Sequence, residues 1–337
     1  MGKDMVEKSS VVTFVAPNQV AVEQIDMSPP GEGEVLIETR LSAISSGTEL
    51  LAYRGQLPAD ISLDESITGM DKEVAYPFQY GYAAVGVIKE VGAGVDLDWA
   101  NKNVFGFYPH ASCFLARPQM LTVLPANLAT KDAVFLANME TAVSFLMDGR
   151  PMIGEKVLVV GLGVVGLLTT ALLIQQANLE VHCVDPLKSR RERAEALGAT
   201  AWDPEELIDV GPAEAFDLVY ELSGNPAGLN SAIGKTRKTG RIILGSWYGS
   251  KPANVNLGGR FHRSKINIYA SQVSTIAPEL SGRWTKERRL QLALSYLNKI
   301  QPSQFVSHTF DVSEVPRAYA LLDSGQDDVL QVVISYD

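Results

Sequence analysis

The stretch that decides the fold is residues 156–177, KVLVVGLGVVGLLTTALLIQQA. It opens with KVLVV, a run typical of a buried strand, and passes through a glycine-rich turn into an apolar stretch with helical character, residues 167–177. The turn places Gly161, Gly163 and Gly166 at the spacing G-x-G-x-x-G. A strand, this turn and a helix in succession predict the first unit of a dinucleotide-binding fold.

Each position in the turn has a physical reason. Gly161 permits the tight turn out of the strand, Gly163 lets backbone N–H groups approach a pyrophosphate, and Gly166 lets the helix pack closely on the strand. The helix N-terminus, with Val164 and Val165 between the last two glycines, offers unpaired N–H donors and a positive dipole end to phosphates. We therefore expect residues 161–166 to bind the cofactor.

An acidic residue follows where the ribose of a dinucleotide would lie. Asp185 ends the next strand, EVHCVD, roughly 20 residues after Gly166, and a carboxylate there accepts hydrogen bonds from both ribose hydroxyls. It would also repel a 2′-phosphate, so the sequence favours NAD over NADP. Three basic residues follow, Lys188, Arg190 and Arg191. We expect them to be solvated residues of a helix, with Arg190 or Arg191 covering the adenine. The alternative is that their positive charge weakens the preference for NAD and admits NADP.

Strands and helices continue to alternate beyond this point. The helical SRRERAEALG ends on a glycine suited to a C-cap, and strands are expected at residues 200–203, FDLVYELSG, GRIILGSWYG and KINIYASQV. Alternating βα units of this kind predict a parallel, doubly wound sheet and an α/β fold class.

Two further strand ends are candidates for the cofactor site. Ser223 and Gly224 end the fourth strand, and Gly245 and Ser246 lie in the fifth. Ligands bind in the crevice at the carboxyl ends of parallel strands, so backbone groups there are expected to hold the nicotinamide ring. For any one of these residues, an ordinary strand-to-helix turn is the alternative.

The flanking segments have a different pattern. Short β-like runs broken by prolines and glycines predict a small barrel or sandwich, at residues 11–15, 34–41, 83–91 and 102–107. Residues 61–77 are expected to form an irregular loop or short helix, and residues 133–147 a helix. The end of the chain alternates again, with helices at 286–297 and 314–322 and the strands FVSHTFDVS and VLQVVISY.

This β-rich ending matches the beginning of the chain better than its middle. The chain is therefore expected to leave its first domain, build the dinucleotide-binding domain and return. The predicted domains are residues 1–145 with 286–337, and residues 146–285.

Composition narrows the class of protein. The 337 residues carry a formal charge of -10, which disfavours nucleic acid and anionic membrane surfaces as partners. Two cysteines cannot form a disulfide framework, no uninterrupted apolar run reaches the roughly 18 residues of a spanning helix, and the start of the chain is too polar for a signal peptide. We expect a cytoplasmic protein that acts on a small-molecule substrate.

The sequence resembles the medium-chain dehydrogenase/reductase family of alcohol and polyol dehydrogenases along nearly the whole chain. SAISSGTELLAYRG resembles the family's catalytic loop, YGYAAVG its GHE-containing strand, and VSHTFDVSEVPRAYALLDSG its C-terminal return segment. SGTELLAYRGQLP is most similar to the bacteriochlorophyllide-dehydrogenase-like and threonine-dehydrogenase-like branches. The resemblance implies a Rossmann domain inserted in a β-rich, GroES-like catalytic domain, and nicotinamide as cofactor.

The positions of the catalytic zinc ligands depart from the family pattern. Ser46 stands in place of the catalytic cysteine, and Tyr82 and Ala83 replace the histidine and glutamate of GHE. Zinc prefers thiolate, imidazole or carboxylate ligands, and two cysteines cannot supply the four-cysteine structural zinc lobe of many relatives. These departures predict a protein without zinc.

Three other residues, His110, Cys113 and Glu140, also have side chains of a type that can bind metal. His110 and Cys113 form an isolated H-x-x-C in an expected loop, which would need two more ligands to hold a metal; a polar pocket or packing role is the alternative. Glu140, in METAVSFL, matches a family helix that carries an acidic residue near the metal. Without metal, Glu140 would only cap or contact the pocket.

Without zinc, a hydrogen-bond donor must stabilise the charge that develops on the substrate oxygen. Tyr82 is the first candidate, because it stands at a ligand position and its phenol can give a proton. Thr48 occupies the family's proton-relay position, whereas the further relay histidine of some relatives falls at Leu51. The other candidates are Tyr53, Ser46 and His110. For each of these residues, lining the pocket without catalysis is the alternative.

The expected reaction is hydride transfer to or from a carbonyl or conjugated carbonyl compound, with NAD as the first choice of cofactor. The alternatives are oxidation of a secondary alcohol on a bulky substrate, cofactor binding without turnover, and non-redox cyclase or lyase chemistry. The apolar strand KINIYASQV would suit edge-to-edge formation of a homodimer.

Overall fold

In the computed structural model, residues 7–58, 75–209 and 216–336 are described, and the chain divides into two units. One unit is Met1–Ala137 with Leu297–Asp337, and the other is Asn138–Tyr296. The chain passes between units within two helices, Leu136–Gly149 and Lys286–Ile300. The boundaries at 145/146 and 285/286 stay predictions. Most of the segment 61–77 lies outside the described residues.

The first unit begins with short strands, as the broken β-like runs predict. The strands are β1 (Glu7–Ala16), β2 (Gln19–Met27), β3 (Val35–Ile44), β4 (Phe78–Gln79), β5 (Ala84–Val91), β6 (Asn103–Gly106), β7 (Cys113–Ala116) and β8 (Leu121–Val123). Two short helices, α1 (Glu49–Tyr53) and α2 (Thr130–Ala133), and 3-10 turns at Leu97–Trp99 and Pro118–Met120 connect them. The expected helix 133–147 is thus divided between α2 and the helix that follows.

The second unit alternates helices and strands from its start. Its elements are α3 (Leu136–Gly149), β9 (Lys156–Val160), α4 (Val164–Ile174), β10 (Glu180–Val184), α5 (Lys188–Ala196), β11 (Thr200–Trp202), α6 (Pro204–Asp209), β12 (Phe216–Glu221), α7 (Pro226–Lys235), β13 (Thr236–Leu244), a π-helical turn (Leu257–Phe261), β14 (Asn267–Ala270) and α8 (Lys286–Ile300). The predicted helix after the glycine turn begins at Val164, three residues early, because Gly163 is already its N-cap.

The six strands of the second unit form one parallel sheet in the order β11-β10-β9-β12-β13-β14. The order reverses between β9 and β12, so the crevice at the carboxyl ends of these two strands is the expected ligand position in a doubly wound fold. Apolar side chains fill the sheet, with Leu158, Val219 and Ile242 fully buried. The predicted doubly wound α/β fold is confirmed.

The chain then returns to the first unit. A 3-10 turn (Pro302–Phe305) leads into β15 (Val306–Asp311), followed by a second turn (Val312–Glu314), α9 (Val315–Ser324) and β16 (Gln331–Ser335). The strand β16 pairs antiparallel with β3 and parallel with β15. The seven-stranded sheet that results has the order β15-β16-β3-β5-β6-β8, with β7 also on β3.

A shared core holds α1 and α9 beside the first strands. It contains aromatic and aliphatic side chains from the beginning and the end of the chain, among them Phe14, Tyr53, Tyr80, Tyr319 and Val332. Because residues more than 200 positions apart share this core, the N-terminal and C-terminal segments fold as one unit. No helix in the described ranges is both long and apolar enough to cross a lipid bilayer.

Candidate active site

The glycine turn between β9 and α4 has the geometry its spacing predicts. Gly161 has a φ of +95°, and a Cβ there would lie 2.5 Å from the Cα of Ser223. A Cβ on Gly166 would lie 2.1 Å from the carbonyl oxygen of Gly161, so only glycine lets α4 begin this close to the strand. A Cβ on Gly163 would meet no atom within 4 Å. The backbone at Gly163 is therefore open to a ligand.

Asp185 is fixed beside this turn. Its side chain is almost fully buried, and Oδ2 accepts a hydrogen bond from the Leu162 amide at 2.7 Å. Oδ1 accepts one from the Leu187 amide at 2.9 Å. Each carboxylate oxygen has a further lone pair, so both remain able to accept from ribose hydroxyls.

The basic residues after Asp185 differ in what they contact. Arg191 Nη1 donates to the carbonyl oxygens of Asp185 and Pro186, at 2.7 and 2.8 Å, and is therefore held by backbone. Lys188 is exposed and pairs with Glu192. Arg190 Nη1 lies 3.9 Å from Asp185 Oδ2, so Arg190 is the basic side chain beside the carboxylate predicted to bind the ribose.

The carboxyl ends of β12 and β13 are joined by a polar cluster around Glu221. Glu221 is fully buried and accepts hydrogen bonds from the Ser223 amide and hydroxyl and, at 2.8 Å, from the Tyr248 hydroxyl. The Gly224 amide donates to Ser246 Oγ at 2.9 Å. Burial, followed by the Glu221 carboxylate, raises the pKa of Tyr248, so this phenol is a hydrogen-bond donor.

Glu221 was missed in the sequence, where it reads as one acid in the strand FDLVYELSG. Its position as the last residue of a parallel strand is the signal that would have found it. Gly245 has a different reason to be glycine, since a Cβ there would lie 2.3 Å from the Phe145 ring. The four predicted residues Ser223, Gly224, Gly245 and Ser246 thus lie together at one edge of the sheet.

In the first unit, Ser46 and Thr48 lie on the loop between β3 and α1. Both are half-buried, and Thr48 is the N-cap residue of α1 but makes no side-chain capping hydrogen bond. Its hydroxyl is therefore not used to satisfy the helix. Tyr82 is half-buried on the segment before β5, with its ring 6.0 Å from that of Tyr80.

Tyr53 and His110 occupy interior positions. The Tyr53 ring is 7% exposed and stacks on Tyr319 at 5.6 Å. Burial, then the charge of Asp323, raises the pKa of Tyr53. His110 is fully buried, with Nδ1 2.7 Å from Ser42 Oγ and Nε2 2.9 Å from Glu49 Oε2. Both ring nitrogens of His110 are therefore engaged within the protein.

The expectation that Cys113 lies in a loop is wrong. Cys113 begins β7, which pairs with β3, and its amide donates to the buried Ser9 hydroxyl at 3.2 Å. The side chains of His110 and Cys113 are each buried in hydrogen-bonded surroundings. The H-x-x-C pattern therefore reflects core packing around a strand start.

Glu49, the residue that follows Thr48, was also missed. It is fully buried and accepts hydrogen bonds from the Ser45 amide at 2.8 Å, from His110 and from the Tyr319 hydroxyl. Its partners lie 61 and 270 positions away, so no local pattern in the sequence reveals them.

The resemblance predicts that Ser46, Tyr82 and Ala83 stand at the family's zinc positions. Ser46, Tyr82 and Ala83 provide no thiolate, imidazole or carboxylate, and nowhere in the described ranges do three His, Cys, Asp or Glu side chains converge as metal ligands would. Glu140 is instead paired with Arg289, whose Nε and Nη2 both lie 3.1 Å from Oε1. Burial raises the pKa of Glu140, and Arg289 opposes that rise.

Arg289 is itself almost fully buried and makes further hydrogen bonds within the second unit. It donates to Ser144 Oγ at 3.3 Å and to the carbonyl oxygens of Thr275 and Val273. The guanidinium therefore joins α3, α8 and the segment before α8. This pairing gives Glu140 a structural partner that the sequence did not predict.

No family model matches the sequence. The starvation-sensing protein RspB of Escherichia coli K12 is 23% identical, over 95% of this chain and 97% of its own length. The 2-desacetyl-2-hydroxyethyl bacteriochlorophyllide A dehydrogenase of Cereibacter sphaeroides is also 23% identical, over 98% of both chains. These relatives span the chain from end to end.

Solved structures agree with the sequence relatives. An alcohol dehydrogenase, rspB of Escherichia coli CFT073, was solved with the cofactor NADH and superimposes with a TM-score of 0.78 at 20% identity. The match covers 98% of this chain and 99% of that one. The chain therefore shares the fold of these dehydrogenases and is similar along nearly its whole length to medium-chain dehydrogenases/reductases of the zinc-type alcohol and polyol dehydrogenase kind.

Proposed function

We propose that this enzyme is a zinc-independent, NAD-dependent oxidoreductase that transfers hydride to or from a carbonyl or conjugated carbonyl substrate. One observation carries the proposal: an intact glycine turn with Asp185 fixed beside it occurs in a chain whose zinc-ligand positions hold Ser46, Tyr82 and Ala83. The first part of this observation supports nicotinamide chemistry. The second supports activation of the substrate by hydrogen bonds.

The second unit supplies the groups that would hold the cofactor. The open backbone at Gly163 and the N-terminus of α4, with Val164 and Val165, suit a pyrophosphate. Asp185 suits the ribose hydroxyls, and the strand ends at Ser223–Gly224 and Gly245–Ser246 suit the nicotinamide. A bound nicotinamide supplies or accepts the hydride.

The choice of NAD rests on charge. The buried carboxylate of Asp185 would repel the 2′-phosphate of NADP, and its two backbone donors keep it in place. Arg190, 3.9 Å from that carboxylate, offsets part of the repulsion. NAD is therefore the preferred cofactor, with NADP as a weaker one.

Tyr82 and Thr48 are the proposed groups that act on the substrate oxygen. A hydroxyl donor in a site that excludes water stabilises developing negative charge on that oxygen. In metal-dependent enzymes a metal ion stabilises this charge. Ser46 lies on the same loop as Thr48 and is a further donor. Tyr53 and His110 are buried within the first unit, and so their proposed contribution is indirect.

A second candidate is oxidation of a secondary alcohol on a bulky substrate. It is supported by the full-length similarity to a bacteriochlorophyllide dehydrogenase. A third is cofactor binding without redox turnover, or non-redox cyclase or lyase chemistry on the same scaffold. The retained Thr48 and the open glycine turn favour redox turnover.

The test combines metal analysis with two activity screens on the purified protein. NADH oxidation is measured over a panel of enones and ketones, and NAD reduction over a panel of secondary alcohols, each with and without a chelator. Turnover that a chelator leaves unchanged, in protein with less than stoichiometric zinc, supports the proposal. Stoichiometric zinc whose removal abolishes turnover contradicts it, and tight NADH binding without turnover on any substrate favours the third candidate.

We further propose a cytoplasmic homodimer formed along β14. This strand is the last in its sheet, and its Tyr269 side chain is 51% exposed. An uncovered strand edge carrying apolar side chains is suited to pairing with a second copy. Sedimentation velocity of the wild type and of Tyr269→Lys tests this, since the substitution should shift the protein toward monomer.

A further inference from the structure

A chain of buried polar groups runs through the first unit outside the residues proposed to touch substrate. It consists of Tyr336, Ser42, His110, Glu49 and Tyr319. Ser42 Oγ lies 2.8 Å from the Tyr336 hydroxyl and 2.7 Å from His110 Nδ1, and His110 Nε2 lies 2.9 Å from Glu49 Oε2. The Tyr319 hydroxyl completes the chain at the same carboxylate oxygen. Ser42, His110, Glu49 and Tyr319 are all fully buried.

The Glu49 end of this chain holds the loop that carries Ser46 and Thr48. Glu49 Oε1 accepts from the Ser45 amide at 2.8 Å, and the Glu49 amide donates to the Ser45 carbonyl oxygen at 2.9 Å. The backbone from Ser45 to Glu49 is therefore closed on itself at both ends. Its conformation depends on where the Glu49 carboxylate is held.

The His110 end holds the segment that carries Tyr82. The His110 amide donates to the Tyr80 carbonyl oxygen at 3.3 Å. A Cβ on the next residue, Gly81, with φ +126°, would lie 2.8 Å from the imidazole Cδ2 and 2.9 Å from Nε2. The backbone of Gly81 thus packs directly on the ring, and the position of the ring sets the position of the segment.

The hydrogen bonds have one consistent direction. With the imidazole proton on Nε2, Tyr336 donates to Ser42, Ser42 donates to Nδ1, and Nε2–H donates to Glu49. Every proton then has an acceptor, and the buried carboxylate receives three donors, which is the condition for keeping a charge in the interior. With protons on both ring nitrogens, Ser42 Oγ would instead accept from Nδ1–H and could no longer donate to it.

We propose that Glu49 and His110 are positioning residues of this enzyme, which hold the Ser46–Thr48 loop and the Tyr82 segment in one fixed arrangement. The Glu49–His110 hydrogen bond is the link between the two segments. The inference rests on the proposed function, because the value of the arrangement lies in placing donors on a substrate oxygen.

The test compares Glu49→Gln with Asp132→Asn. Both replace a buried carboxylate of the first unit by its amide, but Asp132 accepts from the Ser303 amide at 2.7 Å and touches neither segment. In Glu49→Gln the amide either places its own N–H donor against Nε2–H or accepts from Nε2–H with a neutral oxygen. In both cases the charge that holds the His110 ring is lost. We expect kcat to fall about tenfold to hundredfold with the Kd for NADH unchanged, and Asp132→Asn to keep the wild-type kcat.

Two further readouts need no substrate. Amide hydrogen exchange of residues 45–48 and 80–82 in the NADH-bound protein should accelerate about tenfold or more in Glu49→Gln and not in Asp132→Asn. Long-range proton–nitrogen NMR spectra should show His110 with its proton on Nε2 in the wild type and a changed tautomer population in the variant. If Glu49→Gln does not fold, Ser42→Ala, which removes the donor to Nδ1 and the hydrogen-bond partner of the Tyr336 hydroxyl, is measured in the same way.

Wild-type exchange in both segments of whichever variant folds would overturn the inference, as would an unchanged kcat. Failure of the proposed function has a different signature. In that case the wild type itself shows no turnover, while the exchange and tautomer comparisons still decide whether Glu49 and His110 position the two segments.

Discussion

The amide of Leu162 donates a hydrogen bond to Asp185 Oδ2 at 2.7 Å, and this bond joins the glycine turn to the end of the neighbouring strand β10. The residue proposed to bind the ribose is therefore also a structural part of the turn proposed to bind the pyrophosphate. Any change at Asp185 acts on both, directly through the lost carboxylate and indirectly through a looser turn.

Replacing Asp185 by Asn should weaken NADH binding and reduce the preference of the enzyme for NADH over NADPH. The amide keeps the size of the side chain but loses the negative charge, which is proposed to strengthen the hydrogen bonds from the ribose hydroxyls and to repel a 2′-phosphate. A hydrogen bond to a charged group contributes about 1.5–3 kcal/mol. Fluorescence titration should show a Kd for NADH raised about tenfold or more, since every 1.4 kcal/mol is a factor of ten.

The control for that change is Asp203→Asn, because Asp203 pairs with Arg191 at 3.0 Å and does not contact the turn. This variant should bind NADH as the wild type does. An Asp185→Asn protein with wild-type affinity for both cofactors would show that the carboxylate does not select between them.

Glu140 should make stability depend on pH in an unusual direction. Burial raises the folded-state pKa of Glu140 above its ordinary value of 4.5, against the opposing effect of Arg289. A carboxyl with a raised pKa contributes stability that is present below its unfolded pKa and lost as the pH rises through the folded pKa. The stability advantage of the wild type over Glu140→Gln should therefore be largest near pH 4 and shrink toward pH 7.

Urea unfolding midpoints at several pH values check this expectation, and Glu180 offers a control of opposite sign. Hydrogen bonds from His182 and Lys156 lower the pKa of Glu180, so its contribution is present above its unfolded pKa and lost as the pH falls. The wild-type advantage over Glu180→Gln should grow with pH. Parallel pH profiles for the two variants would contradict the sign assigned to Glu140.

The sequence predicted the second unit well because its signals are local. The glycine spacing, the strand before it and Asp185 after it all lie within about thirty residues, the size of one βαβ unit. The return of the chain to the first unit was also predicted, because the β-rich character of the ending differs from the middle. Strand β16 pairs with β3 as that return requires.

The catalytic side was predicted less completely because its contacts are distant in sequence. Glu49 reads as an ordinary acid at the start of a short helix, and only the fold brings it to His110 and Tyr319. His110 was a candidate for substrate contact, yet both its nitrogens are used inside the protein. Glu140 matched a metal-associated position, but Arg289, 149 positions away, pairs with it.

The thiol of Cys183 should be inert in the folded protein. It is fully buried against Thr170, with the sulfur 3.3 Å from the hydroxyl, and burial raises the pKa of Cys183 to about 12. Since the thiolate is the reactive form, a disulfide reagent at pH 8 should not label it until the protein unfolds. Cys113→Ser isolates this thiol, and its rapid labelling in native protein would contradict the burial.

Two glycines of the turn should separate cofactor binding from stability. In Gly166→Ala the new methyl would lie 2.1 Å from the Gly161 carbonyl oxygen, a backbone atom that cannot move aside without distorting the turn, so the free energy of unfolding should fall by about 1–3 kcal/mol or more. Gly163→Ala is the matched control for stability, because its methyl meets no protein atom within 4 Å and φ is -64°, which alanine adopts freely. Its unfolding free energy should stay within about 0.5 kcal/mol of the wild type.

NADH binding by Gly163→Ala should nevertheless weaken, because the new methyl would stand where the pyrophosphate is proposed to approach the backbone. Urea unfolding and NADH titration of both variants check the pair, and a Gly163→Ala protein with full NADH affinity would place the pyrophosphate elsewhere.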